Sequence, residues 1–223
     1  MKARLYQFVT SPFCAKVRKI LEYKGLEFET IEVDYIERKE LIVASGQMMV
    51  PAVTLPGGET IVDSGRIAAR LEELYPEPTI FPPTWRGQHL ALAGYIDNQI
   101  EDALFRVAIP DYLEHFRRLG PDRLAFYRLI KERKYGVGFC DRMVREHEAN
   151  WEDARKILAS FEESVTDRAF ILGRIGLADF ALYGQLYYLA FTGELKIPPD
   201  FPALRAFFGR IDRITAAIEP GAP

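Results

Sequence analysis

The sequence predicts a small mixed α/β sheet domain followed by an all-helical bundle. Three observations carry this. Up to about Pro78, short strand-like runs alternate with helical ones. The proline-dense stretch PEPTIFPPTWRG then breaks the pattern. Beyond it every long segment carries helical apolar spacing and no convincing strand follows. The expected division is a sheet domain over 1–78, a linker over 79–87 and a helical domain over 88–223.

RLYQFV reads as the first strand. Ser11 then precedes Pro12, and Phe13, Val17, Ile20 and Leu21 follow at helical spacing, so a helix starts there. Gly25 closes it as a left-handed cap. FETIEVD alternates like a strand, and PAVTL, PGG and ETIV read as two strands joined by a tight turn. SGRIAARLEELYP sets Ile67, Leu71 and Leu74 on one helical face, with Ser64 as the expected N-cap and Pro76 as the stop. The segments beginning GQHLALAG, PDRLAFYR, FCDRMVRE, LADFALYG and FPALRAFF give a bundle of roughly five or six helices. The final IEPGAP is expected to fray.

Composition narrows the function classes. Apolar residues make up 48% and charged ones 27%, enough to bury a sizeable core. The formal net charge of -3 gives no reason to expect nucleic acid or an acidic membrane surface as a partner. No apolar run is long enough to span a membrane, and MKARLYQFV enters a strand without the apolar stretch of a secretory leader. Cys14 and Cys140 alone imply no disulfide framework, so a reducing cytoplasm is the expected compartment. His89, His115 and His147 lie far apart in the chain, and no metal site is expected.

The chemistry concentrates in TSPFC. Ser11 is fully accounted for as a helix N-cap, yet a helix N-terminus also holds a ligand's anion, and Ser11 would then donate to a bound thiolate. Cys14, in the first turn, is either a small buried hydrophobe or a thiol whose pKa is lowered by the helix dipole and by Lys16 and Arg18.

Three segments, SPFCAKVRKILEYKGLEFE, VPAVTLPGGETIVDSGRIAARLEELYP and FILGRIGLADFALYGQL, resemble the cytosolic glutathione S-transferase superfamily. The resemblance covers nearly the whole chain. It implies a thioredoxin-like N-terminal domain, an all-helical C-terminal bundle, glutathione as cosubstrate, a homodimer, and a small hydrophobic electrophile as second substrate.

It also implies roles. Ser11 matches the residue that activates the glutathione thiol in serine-type and cysteine-type classes. Cys14 matches the second cysteine of a glutaredoxin-like motif whose first cysteine is here Ser11. Tyr6 lies one residue out of register with the hydroxyl of tyrosine-type classes, so it is expected in the core. Val50 and Pro51 match the element, cis in the family, that pairs with the cysteinyl backbone of glutathione. Asp63 and Ser64 match the pair that holds its γ-glutamyl group. Met48 and Met49 stand where many relatives carry a lysine or glutamine for the glycyl end, with Lys39 nearby as a possible substitute. In GLADF, Gly176 replaces the hydroxyl residue of a buried capping motif whose Asp179 is kept. Tyr95 and Gln99 are of a type suited to the electrophile pocket. Cys140 is expected in the core.

The expected function is a glutathione transferase. The alternatives are a glutathione-dependent thiol reductase using Cys14, and a non-catalytic binding or interaction protein on the same fold.

Overall fold

The computed structural model describes residues 2–214; the terminal IEPGAP, expected to fray, lies outside them. Four strands, β1 (Ala3–Gln7), β2 (Phe28–Glu32), β3 (Ala52–Thr54) and β4 (Thr60–Val62), form one sheet in the order β2-β1-β3-β4. β1 runs parallel to β2, with Gln7 opposite Glu32. β3 is antiparallel to both neighbours, Ala52 facing Tyr6 on one side and Val62 on the other. A parallel pair needs a crossover, and α1 (Pro12–Tyr23) supplies it. This is the mixed, thioredoxin-like sheet that the resemblance implies.

The start and stop of α1 are those its sequence specifies. Ser11 is the N-cap and Pro12 the first helical residue. Gly25, at φ 67°, lets the chain turn back so that its own N–H reaches the Glu22 carbonyl and that of Leu26 reaches Leu21, both at 3.0 Å. Two other elements differ from expectation. α2 (Lys39–Ser45) fills what the sequence reads as connection. It is short, and Arg38 at its start makes no side-chain cap, so the usual signals are missing. α3 (Ser64–Leu74) has Asp63, not Ser64, as its N-cap. The shorter carboxylate accepts from the Gly65 and Arg66 N–H groups, which makes Ser64 the first helical residue.

The connection after α3 is tied down on both sides. The Glu72 carboxylate accepts from the Ile80 N–H, and the Ile80 carbonyl accepts from Leu177. The buried Lys24 ammonium donates to Glu72 and to the Tyr75 and Pro78 carbonyls. The helical part comprises α4 (Arg86–Tyr95), a π-turn at Ile96–Ile100, α5 (Glu101–Leu119), α6 (Pro121–Tyr135), α7 (Phe139–Arg145), α8 (His147–Val165), α9 (Leu177–Leu186) and α10 (Pro202–Asp212). α5 continues through Pro110, and the segment expected as one helix over 139–165 breaks at Glu146 into α7 and α8.

One apolar core runs through both parts, from Leu5, Val17 and Ile20 to Phe105, Phe180 and Phe207. Cys140 belongs to it. Tyr6 sits in a second, smaller cluster with Val33, Leu41 and Ala52, as its register predicts. The two parts meet where α1 crosses α9. Gly184 permits the approach, because a Cβ there would lie 2.7 Å from the Pro12 carbonyl oxygen. Beside it the buried Lys16 ammonium bonds Asp97 in the π-turn, whose other oxygen accepts from Gln185 of α9.

The start of α9 solves the loss of the capping hydroxyl in an unexpected way. Asp179 is fully buried and accepts from the Ile171 and Gly176 N–H groups, both at 2.9 Å. Burial nonetheless pushes its carboxyl up to about 7. The space a side chain on Gly176 would fill is occupied by the His89 imidazole of α4. His89 Nδ1 accepts from the Ala178 N–H at 3.3 Å, so an imidazole from another helix takes the place of a serine or threonine cap.

Candidate functional site

Strand register brings the sequence-marked residues to one end of the sheet. Because Tyr6, Ala52 and Val62 face one another, the chain leaves β1, enters β3 and leaves β4 at the same edge. The parallel β2 also ends there. Ser11 with α1, Val50–Pro51, and Asp63–Ser64 with α3 therefore share that edge with the Val33–Arg38 connection.

Phe8 to Ser11 form a turn closed by the Ser11 N–H on the Phe8 carbonyl at 2.9 Å. The Ser11 Oγ accepts from the Cys14 N–H at 3.4 Å, which leaves the hydroxyl proton available for a further acceptor. The Val50–Pro51 peptide is cis, in agreement with the resemblance. Asp63 has φ 73° and ψ 129°, a backbone conformation uncommon for a residue with a Cβ. Its Oδ1 takes both helix N–H bonds. Ser64 is buried at the first position of α3.

Cys14 differs from the activated thiol considered above. It is fully buried, and burial pushes its thiol up to about 12, outweighing the Ser11 hydrogen bond and the Arg18 charge. Lys16 does not supply the nearby charge, since its ammonium is committed to Asp97. The expectation of a lowered pKa is therefore corrected: desolvation wins over the helix terminus.

Next to the Phe8–Ser11 turn lies a cleft of about 470 Å³, walled by Phe8, Tyr35, Phe116 and Leu119 with His115 and the Asp34–Arg123 pair at its polar margin. Ring centroids are 5.0 Å apart for Phe8 and Tyr35 and 4.6 Å for Tyr35 and Phe116, so its faces are aromatic. Tyr95 and Gln99 line no part of it and lie on an exposed face. The far end of α5 provides that wall instead.

Sequence reasoning missed Arg38. Its guanidinium lies over the Phe8 and Tyr35 rings at 5.2 and 5.1 Å and donates to the Met48 carbonyl at 2.7 Å. Among the described residues it has no carboxylate partner. Lys39, the substitute considered from sequence, is exposed and paired with Glu37. The signal for Arg38 is only a cation immediately before a helix that the sequence hides.

A thioredoxin-like sheet carrying a helix-capping serine, joined to an all-helical domain across α1 and α9, defines the class of protein. Residues 5–79 match the family described as Glutathione S-transferase, N-terminal domain, and residues 145–210 the one described as Glutathione S-transferase, C-terminal domain. The chain belongs to the glutathione S-transferase superfamily. It is 26% identical to maleylacetoacetate isomerase of Pseudomonas aeruginosa over 193 residues, covering 82% of this chain and 80% of that one. It is 27% identical to a probable glutathione S-transferase of Oryza sativa subsp. japonica over 225 residues, covering 96% and 87%. A glutathione S-transferase of Ceriporiopsis subvermispora, solved in complex with glutathione, superposes with a TM-score of 0.78 at 21% identity, covering 100% of both chains.

Proposed function

We propose that this protein is a glutathione transferase in which Ser11 stabilises the glutathione thiolate for attack on a small hydrophobic electrophile. The observation that carries the reading is the convergence of two helix N-termini and the Val50–Pro51 segment at one sheet edge, beside an aromatic cleft. Ser11 keeps its acceptor role toward the Cys14 N–H and donates its proton to the sulfur, and the N-terminus of α1 favours the negative charge. Val50 offers its backbone to the cysteinyl residue next to Pro51. The second oxygen of Asp63, whose Oδ1 holds the Gly65 and Arg66 N–H groups, accepts from the ligand's ammonium, while the Ser64 N–H and hydroxyl at the start of α3 take its α-carboxylate. Arg38, with no carboxylate partner among the described residues, takes the glycyl carboxylate that Met48 and Met49 cannot. The cleft between Phe8, Tyr35 and Phe116 receives the electrophile. No metal is part of this reading. The family relationship also supports a homodimer acting in the cytoplasm.

The burial of Cys14 weighs against the thiol-reductase alternative, which needs that sulfur exposed and ionised. One experiment separates the three readings. The protein is incubated with glutathione and an aryl halide electrophile, and binding, conjugate formation and intact mass are measured. Conjugation that falls about 10²-fold in Ser11→Ala supports the proposal. A glutathione adduct lost in Cys14→Ala favours the reductase. No binding at millimolar glutathione leaves a non-catalytic binding protein.

A further inference from the structure

We propose that Tyr112 on α5 is a positioning residue for Ser11, holding the Phe8–Ser11 turn from the helical domain; this rests on the reading of Ser11 as the thiol-stabilising hydroxyl. Tyr112 lies 102 positions from Thr10 in sequence, yet its hydroxyl donates to the Thr10 carbonyl at 2.5 Å in a buried setting. Thr10 immediately precedes Ser11, so that bond fixes the peptide from which the serine side chain departs. The turn is gripped from the opposite side as well. The Glu32 carboxylate at the end of β2 accepts from the Val9 N–H at 2.7 Å. With the Ser11 N–H on the Phe8 carbonyl, the two outer peptides of the turn, Phe8–Val9 and Thr10–Ser11, are thus anchored, each by one residue outside it.

The Tyr112 ring has little freedom to let go. It stacks on Tyr127 with centroids 5.7 Å apart and an interplanar angle of 6°, and Phe191 packs on it at 4.8 Å. An aromatic side chain so confined presents its hydroxyl with little loss of rotamer entropy. Hydrogen-bond stabilisation of a thiolate depends on donor placement within a few tenths of an ångström. A turn free to drift would keep Ser11 in the chain but lose it as a donor.

The test uses Tyr112→Phe, which removes one oxygen and keeps the ring. Its control is Tyr127→Phe: that hydroxyl sits in the same aromatic cluster but is buried without a hydrogen-bond partner among the described residues. Amide hydrogen exchange across Val9–Cys14 is measured on the ligand-free proteins. Tyr112→Phe is expected to exchange there about tenfold faster, while Tyr127→Phe matches the parent. The pH profile of glutathione-dependent turnover is then recorded. Its rising limb is expected to move alkaline by about one unit in Tyr112→Phe alone, with the rate recovering at high pH.

Unchanged exchange at the turn, or a pH profile that does not move while thermal stability falls, overturns the proposal. If the parent shows no glutathione-dependent turnover, the reading of Ser11 has failed. The exchange comparison then decides by itself whether Tyr112 holds the turn.

Discussion

Replacing His89 and restoring a side chain at Gly176 should show that the two positions share one job. His89→Ala removes the acceptor for the Ala178 N–H and leaves a hole where a fully buried imidazole stood. Losing a cap costs about 1 kcal/mol, and the cavity adds about 2 kcal/mol. Gly176→Ser alone drives a side chain into the His89 ring, an overpacking cost of about 1–3 kcal/mol. The double variant has the room that the first change creates, and the introduced hydroxyl caps α9 locally. It should be more stable than the sum of the single losses by about 2 kcal/mol or more. Urea unfolding of the four proteins under one condition measures this. Additivity to within about 0.5 kcal/mol would refute the shared cap.

The same cycle has a pH arm. Burial lowers the His89 pKa in the folded state. The unfolded chain then binds a proton that the folded chain resists. This contribution to stability is present above the unfolded value of about 6.5 and is lost as pH falls below it. The parent should lose stability faster than the double variant on acidification, and equal slopes would count against a buried neutral imidazole.

Two other outcomes follow from the site. Arg38→Ala should raise the KM for glutathione about tenfold with a smaller change in kcat, and Arg38→Lys should recover part of it; steady-state kinetics at varied glutathione checks this. Cys14, with its thiol held up to about 12, stays protonated at neutral pH, so iodoacetamide should leave it unlabelled until denaturant is added, as intact mass would show.

Much of this was legible because local signals and tertiary needs agree. Serine before proline, followed by an apolar stripe and Gly25, specifies α1 without help from the rest of the chain, and the hairpin around PGG does the same for β3 and β4. The site residues were legible as a family pattern. What escaped depends on distant partners. The N-cap of α3 moved to Asp63 because its carboxylate reaches two N–H groups at an unusual backbone angle. The reactivity expected for Cys14 depended on exposure, which one helix cannot report. His89 read as an isolated histidine, since its partner lies 89 positions away in α9. Pro110, a stop signal on its face, sits inside α5.

The buried Lys16–Asp97 pair has a consequence for modularity. The ammonium on α1 belongs to the sheet domain, while the carboxylate and its second partner Gln185 belong to the helical one. Docking α1 against a foreign helical domain that lacks this acid would bury the Lys16 ammonium unpaired, a penalty on the order of 3–5 kcal/mol. The sheet domain is therefore not an exchangeable cassette. A chimera that transplants it onto a foreign helical domain must bring along an acid at the π-turn and a residue without a side chain where Gly184 meets Pro12.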